Sequence, residues 1–244
     1  MHRSLFDIHR YKIDVEGLGT REGLLLQGES GWGEVAPFPG RSRETLEEAY
    51  AQLLKLEGEL YPSVQMGLYG LTAPKIDRIP VCLLLMGTPQ EIYRRANNDH
   101  GCRAAKVKIG SFSVPTAVSI VQDLKQKFRL RLDVNNKWSE AEMRQFCSHF
   151  EPDDFEFIED PGCDIAPFPM AIDHIDVWKP TVCGLPPIGK KITLSSTFET
   201  AAGLHQIAAL TKTHQIPLHA LGLGTALYMN IGVTIENGEL IFSH

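Results

Sequence analysis

From residue 79 onward, short apolar runs alternate with polar stretches of helical periodicity. This alternation is typical of chains in which helices join the strands of a parallel sheet. Eight apolar runs qualify as strands, which predicts an α/β protein with a (β/α)8-like barrel. The predicted strands cover residues 80–85, 104–109, 130–134, 155–158, 170–172, 177–178, 192–195 and 217–220. The predicted helices cover residues 88–98, 113–127, 139–149 and 199–214.

The second half of this barrel is predicted to be reduced, around strands four to seven. Glu159 and Asp173 lie 14 positions apart, and Asp173 and Lys179 lie six apart. A parallel crossover needs about a dozen residues or more, so the helices after strands four and five cannot be complete. The connection over residues 182–190 is also too short for much helix. We therefore expect irregular connections in this half of the barrel.

Residues 1–76 have a different texture and are predicted to form a small α+β domain that caps a barrel domain of residues 77–244. A further arrangement is left open, in which the C-terminal end packs back on the cap. Apolar runs on both sides of a turn at residues 29–31 indicate a β-hairpin. The Gly- and Pro-containing loop at residues 32–40 suits a lid over a substrate.

A helix is predicted over residues 45–57, where apolar side chains recur at helical spacing. Ser42 and Thr45 are alternative caps for this helix, and Gly58 is its expected stop. The cap domain is thus expected to place a small sheet before its helices.

The bulk composition excludes several classes of partner. The formal net charge is −6 and no basic tract occurs, so we expect no nucleic acid and no anionic membrane surface as a partner. No apolar run approaches the roughly 18 residues of a membrane-spanning helix, and residues 1–4 do not open a signal peptide. The five cysteines form no CxxC pair, which argues against a disulfide framework or a zinc ribbon. A reducing cytoplasm is the expected location.

Two lysines share one face of the second predicted strand. Lys106 and Lys108 alternate with apolar residues, and side chains at i and i+2 of a strand point the same way. If that face is the barrel interior, two ammonium groups need carboxylates or a metal-bound anion as partners. A solvated strand end is the alternative for a bare Lys-x-Lys pair.

Carboxylates follow the next two predicted strands. Asp133 and Glu159 each stand where a strand ends, and catalytic groups of parallel sheets collect at that end. Lys108, Asp133 and Glu159 are separated by 25 and 26 residues, which places them on consecutive strands. For either acid alone, a helix cap or a loop carboxylate is the alternative.

A third acid would complete a magnesium site. Asp133, Glu159 and Asp173 together offer hard oxygen ligands, which Mg²⁺ prefers, with Mn²⁺ as a substitute. Asp173 follows another short apolar run and is the first choice for the third ligand. Asp164 and Asp176 are its rivals.

Motifs in order along nearly the whole chain resemble the o-succinylbenzoate synthases of the enolase superfamily, in its muconate-lactonizing-like branch. Each motif alone is weak, and their number and order carry the resemblance. The motifs are Thr20-Arg21-Glu22-Gly23, residues 31–40, residues 44–49, Lys106-Val107-Lys108, Leu132-Asp133-Val134-Asn135, Ile158-Glu159-Asp160-Pro161, Lys179-Pro180-Thr181, residues 195–199 and residues 219–225.

The resemblance implies a role for several side chains. Lys108 would be the general base, and Lys106 would lower the pKa of Lys108 and contact a substrate carboxylate. Lys179, on the opposite face, would stabilise the intermediate, partly by a cation–π contact with its ring. The implied ligands of Mg²⁺ are Asp133, Glu159 and Asp173. The implied substrate-binding residues are Ser195, Ser196, Gly222, Gly224 and Asn135.

The implied reaction is a Mg²⁺-dependent syn-dehydration of 2-succinyl-6-hydroxy-2,4-cyclohexadiene-1-carboxylate to o-succinylbenzoate in menaquinone biosynthesis. A Lewis acid suits this chemistry, because the proton α to a carboxylate is far less acidic than the conjugate acid of any protein base. One alternative is an N-acylamino acid racemase or dipeptide epimerase of the same superfamily, and another is a degenerate, non-catalytic member. The expected partner is a small-molecule carboxylate, and the chain is expected to be a monomer or a homo-oligomer.

Overall fold

The structure is a computed structural model that describes residues 5–242. Residues 1–4 and 243–244 lie outside the described part, and with them the residues on which the expectation of no signal peptide was based. The strands are β1 (Asp7–Val15), β2 (Gly19–Gln27), β3 (Trp32–Val35), β4 (Arg78–Pro80), β5 (Leu83–Leu85), β6 (Ala104–Lys108), β7 (Arg129–Asp133), β8 (Phe155–Glu159), β9 (Met170–Ala171), β10 (Val177–Trp178), β11 (Thr193–Leu194), β12 (Thr234–Glu236) and β13 (Glu239–Ile241). The α-helices are α1 (Leu46–Lys55), α2 (Pro62–Gly70), α3 (Pro89–Asn97), α4 (Val114–Leu124), α5 (Glu140–Cys147), α6 (Pro180–Cys183) and α7 (Ala201–Thr213). Two 3-10 helices cover Pro152–Asp154 and Gly224–Tyr228.

The N-terminal part contains the predicted hairpin. β2 pairs antiparallel with β3, as the turn predicted, and β1, which the apolar pattern did not reveal, pairs antiparallel with β2. α2 lies directly on β3 because both elements carry a glycine at the contact. A Cβ on Gly33 would lie only 1.8 Å from the carbonyl oxygen of Gly67. The sheet and the two helices enclose a small apolar cluster that includes Leu24, Leu26 and Leu53.

Helix α1 begins as predicted and ends earlier than predicted. Thr45 caps it, because its hydroxyl accepts a hydrogen bond from the backbone N–H of Glu48, whose carboxylate in turn accepts one from the N–H of Thr45. The expected stop at Gly58 is wrong. The helix ends at Leu56, which adopts the left-handed conformation with φ of 52° and donates its N–H to the carbonyl of Gln52.

The predicted (β/α)8-like barrel is present. Its eight parallel segments form a ring that is closed by isolated backbone bridges. β5 to β9 form a parallel sheet in chain order, and β10 pairs in parallel with β11. Isolated parallel bridges join these pieces into a ring, and the bridged pairs are Asp173 with Val177, Ser195 with Gly222, and Val81 with Leu221. The eighth strand of the barrel was predicted at residues 217–220. This placement is wrong, because the backbone bridges to the neighbouring strands form at Leu221 and Gly222, after Pro217 and the exposed Leu218.

Four of the helices expected around the barrel are present, as α3, α4, α5 and α7, each a little shorter than predicted. The expected reduction is also observed. Within the described residues, no α-helix lies between β8 and β9 or between β9 and β10. The connection from β10 to β11 holds only the single turn α6. The outer layer of the barrel is therefore thin where the chain is compressed.

The C-terminal hairpin of β12 and β13 was not predicted. It pairs with β4 to form a separate three-stranded sheet, so the predicted first strand at residues 80–85 is divided between this sheet and the barrel. The ring of Phe242 contacts the ring of His205 on α7 with centroids 5.3 Å apart. The large apolar cluster runs through the barrel and its helices. The domain boundary between residues 76 and 77 stays a prediction. Within residues 5–242, no helix has the length and apolarity to cross a membrane.

Candidate active site

The candidate site lies at the C-terminal edge of the barrel sheet. The register pairs Lys108 with Asp133 and Asp133 with Glu159, at the ends of β6, β7 and β8. The spacing of these three residues therefore predicted their placement on consecutive strands. Because parallel strands end at the same edge, the three side chains meet above the barrel core.

Lys106 joins two of the predicted metal ligands. Its Nζ lies 2.9 Å from Oδ2 of Asp133 and 2.6 Å from Oε2 of Glu159. All three side chains are nearly or fully buried. Burial works against the charged ammonium, yet the Glu159 and Asp133 carboxylates raise the pKa of Lys106 above its usual value. Burial disfavours the charged carboxylate of Asp133, but the nearby ammonium groups of Lys106 and Lys108 outweigh it and lower the pKa of Asp133 to about 2.

Lys108 has a different environment from its neighbour on β6. Its Nζ lies 3.1 Å from Oδ2 of Asp133 and donates to Oδ1 of Asn135 at 3.2 Å, while 36% of the side chain stays exposed. Burial, together with the charge of Lys106, lowers the pKa of Lys108 in spite of the Asp133 carboxylate. A lysine in this setting loses its proton more readily than a free lysine does.

Asp173 follows β9 and is surrounded by cationic groups. Lys179, which precedes α6, contacts Oδ1 of Asp173, and its Nζ lies 3.5 Å from Oε1 of Glu159. Arg41, from the segment between β3 and α1, places Nη1 2.5 Å from Oδ2 of Asp173. Although burial opposes ionisation, these cations and the neighbouring His174 lower the pKa of Asp173.

The tightest group of potential metal ligands differs by one residue from the predicted set. Oxygen atoms of Glu159, Asp160 and Asp173 lie within 4.8 Å of one another. Asp160 belongs to a quoted motif but was not predicted as a ligand; its Oδ1 accepts the backbone N–H of Asp173 at 3.0 Å. Asp133 is joined to this group through Lys106.

The residues present fit a hard divalent cation. Within the described part of the chain, Oε1 of Glu159 is buried and accepts no hydrogen bond, and the ammonium of Lys179 lies 3.5 Å from it. A metal cation in closer contact would satisfy this oxygen. Carboxylate oxygens are the ligands that Mg²⁺ and Mn²⁺ prefer. The rivals for the third ligand have local roles instead. Asp164 accepts the N–H of Ala166 at 2.9 Å, and Asp176 accepts the N–H of Ile172 at 3.0 Å.

A cavity of about 310 Å³ opens above these ion pairs. Lys108 and Lys179 both line this cavity. Lys108 ends β6 and Lys179 follows β10, the second and sixth strands of an eight-membered ring, so the two lysines face the cavity from opposite sides. The wall also includes every residue predicted to bind substrate, namely Asn135, Ser195, Ser196, Gly222 and Gly224. Glu159 and Asp173 do not line this cavity, but each pairs with a lysine that does: Glu159 with Lys106 and Asp173 with Lys179.

The serines and glycines of the wall have structural partners. Ser195 and Ser196 both donate their hydroxyls to the carbonyl oxygen of Gly222, at 3.3 and 2.9 Å. A Cβ on Gly222 would lie 2.6 Å from Oγ of Ser195, and one on Gly224 would lie 2.5 Å from the carbonyl of Cys82. These glycines are therefore needed for the close approach of neighbouring barrel segments, in addition to any role toward a substrate.

The N-terminal part supplies a further portion of the wall, from the region predicted as a loop and from the residues after it. Phe38 and Arg41 line the cavity from the segment after β3. Arg21 fixes the start of this segment, because its buried guanidinium donates to the carbonyls of Pro37 at 2.7 Å and Thr197 at 3.3 Å. No local pattern in the sequence links these distant positions. A larger cleft of about 810 Å³ lies beside Trp32 and contains none of the predicted site residues.

Two family models match this chain. Residues 8–71 match the model described as MenC, N-terminal domain, and residues 90–166 match the model described as Enolase C-terminal domain-like. Together the two matches span more than half of the chain, and they cover the lid segment, Lys106, Lys108, Asp133 and Glu159. The chain belongs to the enolase superfamily. Its similarity to o-succinylbenzoate synthases, inferred from the motifs, is confirmed by the relatives that follow.

The o-succinylbenzoate synthase of Photorhabdus laumondii is 33% identical over 192 residues, which cover 63% of this chain and 58% of that enzyme. The chain thus spans little more than half the length of the curated relatives it matches. The o-succinylbenzoate synthase structure from Thermosynechococcus elongatus, complexed with Mg in its active site, superposes with a TM-score of 0.68 at 22% identity, covering 95% of this chain and 96% of that one. The L-Ala-D/L-Glu epimerase of Bacillus subtilis superposes with a TM-score of 0.74 at 15% identity, covering 98% and 95%. These two likenesses establish the enolase-superfamily fold.

Proposed function

We propose that this chain is an o-succinylbenzoate synthase, which dehydrates 2-succinyl-6-hydroxy-2,4-cyclohexadiene-1-carboxylate to the aromatic product. One observation carries the proposal: two lysines in unlike environments face one cavity from opposite sides, above a cluster of carboxylates. The similarity to curated synthases selects this substrate among those that the superfamily fold accepts.

Lys108 acts as the base in this proposal. Its lowered pKa makes the neutral amine accessible, and Nζ takes the proton α to the ring carboxylate while the C–H electron pair remains with the substrate. The β-hydroxyl then leaves with its bonding electrons. In a syn elimination the hydroxyl departs on the face from which the proton was taken. Lys108 therefore returns the same proton to the leaving oxygen, so that water forms and the amine is neutral again.

Lys179 has the opposite task in this proposal. Its ammonium is held by Asp173 on the far side of the cavity, and only 10% of the side chain is exposed. From this position the ammonium of Lys179 stabilises the negative charge that develops during proton removal. Glu159, Asp173 and one or both of Asp160 and Asp133 would hold Mg²⁺. When bound, the ion supplies Lewis-acid stabilisation of the substrate carboxylate.

Racemisation or epimerisation is the second candidate, because the structural likeness to a dipeptide epimerase and the facing lysines both suit it. That reaction needs each lysine to exchange a proton with the substrate. Lys179 is nearly buried against Asp173, whereas Lys108 is 36% exposed to the cavity, and this asymmetry is better suited to dehydration.

The deciding experiment incubates the folded protein with Mg²⁺ and the cyclohexadiene substrate and follows the aromatic product by absorbance and NMR. We expect turnover by the wild-type protein and none by Lys108→Ala. Lys212→Ala serves as the matched control, because this exposed lysine lies on α7 and donates to the carbonyl of Lys75. A folded protein without turnover, or with equal turnover after Lys108→Ala, contradicts the proposal. Deuterium exchange into a dipeptide in heavy water, without dehydration, would favour the epimerase candidate.

A further inference from the structure

Arg41 lies in the segment of residues 36–45, between β3 and α1. Hydrogen bonds within residues 38–42 shape a local turn without the Arg41 side chain. The N–H groups of Arg41 and Ser42 donate to the carbonyl of Phe38 at 3.0 and 2.9 Å, and Oγ of Ser42 accepts the N–H of Phe38 at 2.8 Å. Arg21 fixes the start of the segment through the carbonyls of Ala36 and Pro37. The Arg41 side chain is therefore available for another task.

The guanidinium of Arg41 contacts the barrel at Asp173. Its Nη1 lies 2.5 Å from Oδ2 of Asp173, although the two residues are 132 positions apart in the chain. The Arg41 side chain is 39% exposed, whereas that of Asp173 is 8% exposed. The ion pair thus ties a surface segment to a buried carboxylate of the cation site.

Asp173 has more positive neighbours than one carboxylate needs. Lys179 contacts Oδ1, and Arg41 lies on Oδ2. A divalent cation that approaches this oxygen is repelled by the positive charges already there. Lys179 is nearly buried, whereas Arg41 is partly exposed and belongs to a surface segment. Arg41 is therefore the cation that can leave.

We propose that Arg41 is a latch: it holds residues 36–45 on Asp173 in the cation-free protein, and a divalent cation displaces it. Arg41 is thus a positioning residue that acts through Asp173. Cation binding and release of the segment are two sides of one equilibrium, since a cation favours the state it binds better. This inference rests on the proposed function, because it assigns Asp173 to the cation site of that function.

The test measures Mn²⁺ affinity by electron paramagnetic resonance of the free ion, with Mg²⁺ as competitor. Removing a partly exposed competing ion pair should tighten Mn²⁺ binding by Arg41→Met about two- to fivefold. Arg41→Lys keeps the charge and should bind nearly as the wild type does. Arg43→Met is the matched control from the same segment, because Arg43 pairs with Glu59 at 3.3 Å and not with Asp173.

Hydrogen exchange of the peptide that spans residues 36–45, read by mass spectrometry, reports on the segment itself. We expect Mn²⁺ to speed exchange in the wild type and in Arg43→Met. In Arg41→Met, exchange should already be fast without the ion and should not respond to it.

Equal or weaker Mn²⁺ binding by Arg41→Met overturns the latch and leaves the cation site intact. Exchange that slows when Mn²⁺ is added to the wild type overturns it as well. A wild type that binds no Mn²⁺ overturns the latch and the cation site together. Turnover is assayed on the same samples, so that Mn²⁺ binding without product refutes the synthase activity alone.

Discussion

Glu34 is a fully buried carboxylate that joins the N-terminal sheet to the start of α7. Its Oε2 accepts the N–H groups of Thr200 and Gly203 at 2.8 and 3.0 Å, and its Oε1 accepts the hydroxyl of Tyr11 at 2.5 Å. These donors favour the ionised form, but burial and the charge of nearby Glu199 oppose it more strongly. The result is that the pKa of Glu34 is raised from 4.5 to about 7.

A raised carboxyl pKa makes stability depend on pH with a definite sign. Below about pH 4.5, Glu34 is protonated in both the folded and the unfolded chain and costs nothing. Between that pH and about 7, only the unfolded chain loses the proton, so the free energy of unfolding falls as pH rises. At about 1.4 kcal/mol per pKa unit, the loss between pH 5 and pH 8 amounts to roughly 2–3 kcal/mol.

Glu34→Gln removes this titration and keeps the size of the side chain. Urea denaturation of the wild type and of the variant at pH 5 and pH 8 isolates the effect, because groups that do not interact with Glu34 titrate alike in both proteins. The wild type should lose roughly 2–3 kcal/mol more than the variant over this range. Parallel losses in the two proteins, with equal m-values, would refute the assignment of a raised pKa to Glu34.

Three other predictions concern the site and the fold. Activity should rise with pH through an apparent pKa below the ordinary lysine value, because burial lowers the pKa of Lys108, and a pH–rate profile of kcat/KM checks this. Asp173→Asn should weaken Mn²⁺ binding in a titration, whereas Asp164→Asn and Asp176→Asn should leave it unchanged. Gly33→Ala should destabilise the protein by about 1–3 kcal/mol in urea denaturation, because its Cβ would lie 1.8 Å from a backbone oxygen of α2; an unchanged midpoint would contradict the close packing of β3 on α2.

The predictable part of the site comes from regular strands. Lys108, Asp133 and Glu159 follow one another at the spacing of a βα unit, so the sequence alone placed them at one edge. Arg41 could not be found in this way, since its partner is 132 positions away and no periodicity links them. Asp160 was missed for a different reason. It shares a motif with Glu159, and only the left-handed backbone at Asp160, with φ of 49°, turns the chain so that both carboxylates lie close to Asp173.

The compressed half of the barrel shows which parts of the fold the site requires. Its outer helices are absent among the described residues between β8 and β10, yet the strand ends that carry side chains toward the cavity remain. The ring closes there through single bridges, and two of them involve the site residues Asp173 and Ser195. A single bridge stabilises a barrel far less than a full ladder, so ion pairs such as Asp173 with Lys179 help to close the ring. A cation that binds Asp173 therefore acts at one of the positions where the ring closes by a single bridge, and its binding should stabilise the fold by RT ln(1 + c/Kd), where c is the free cation concentration.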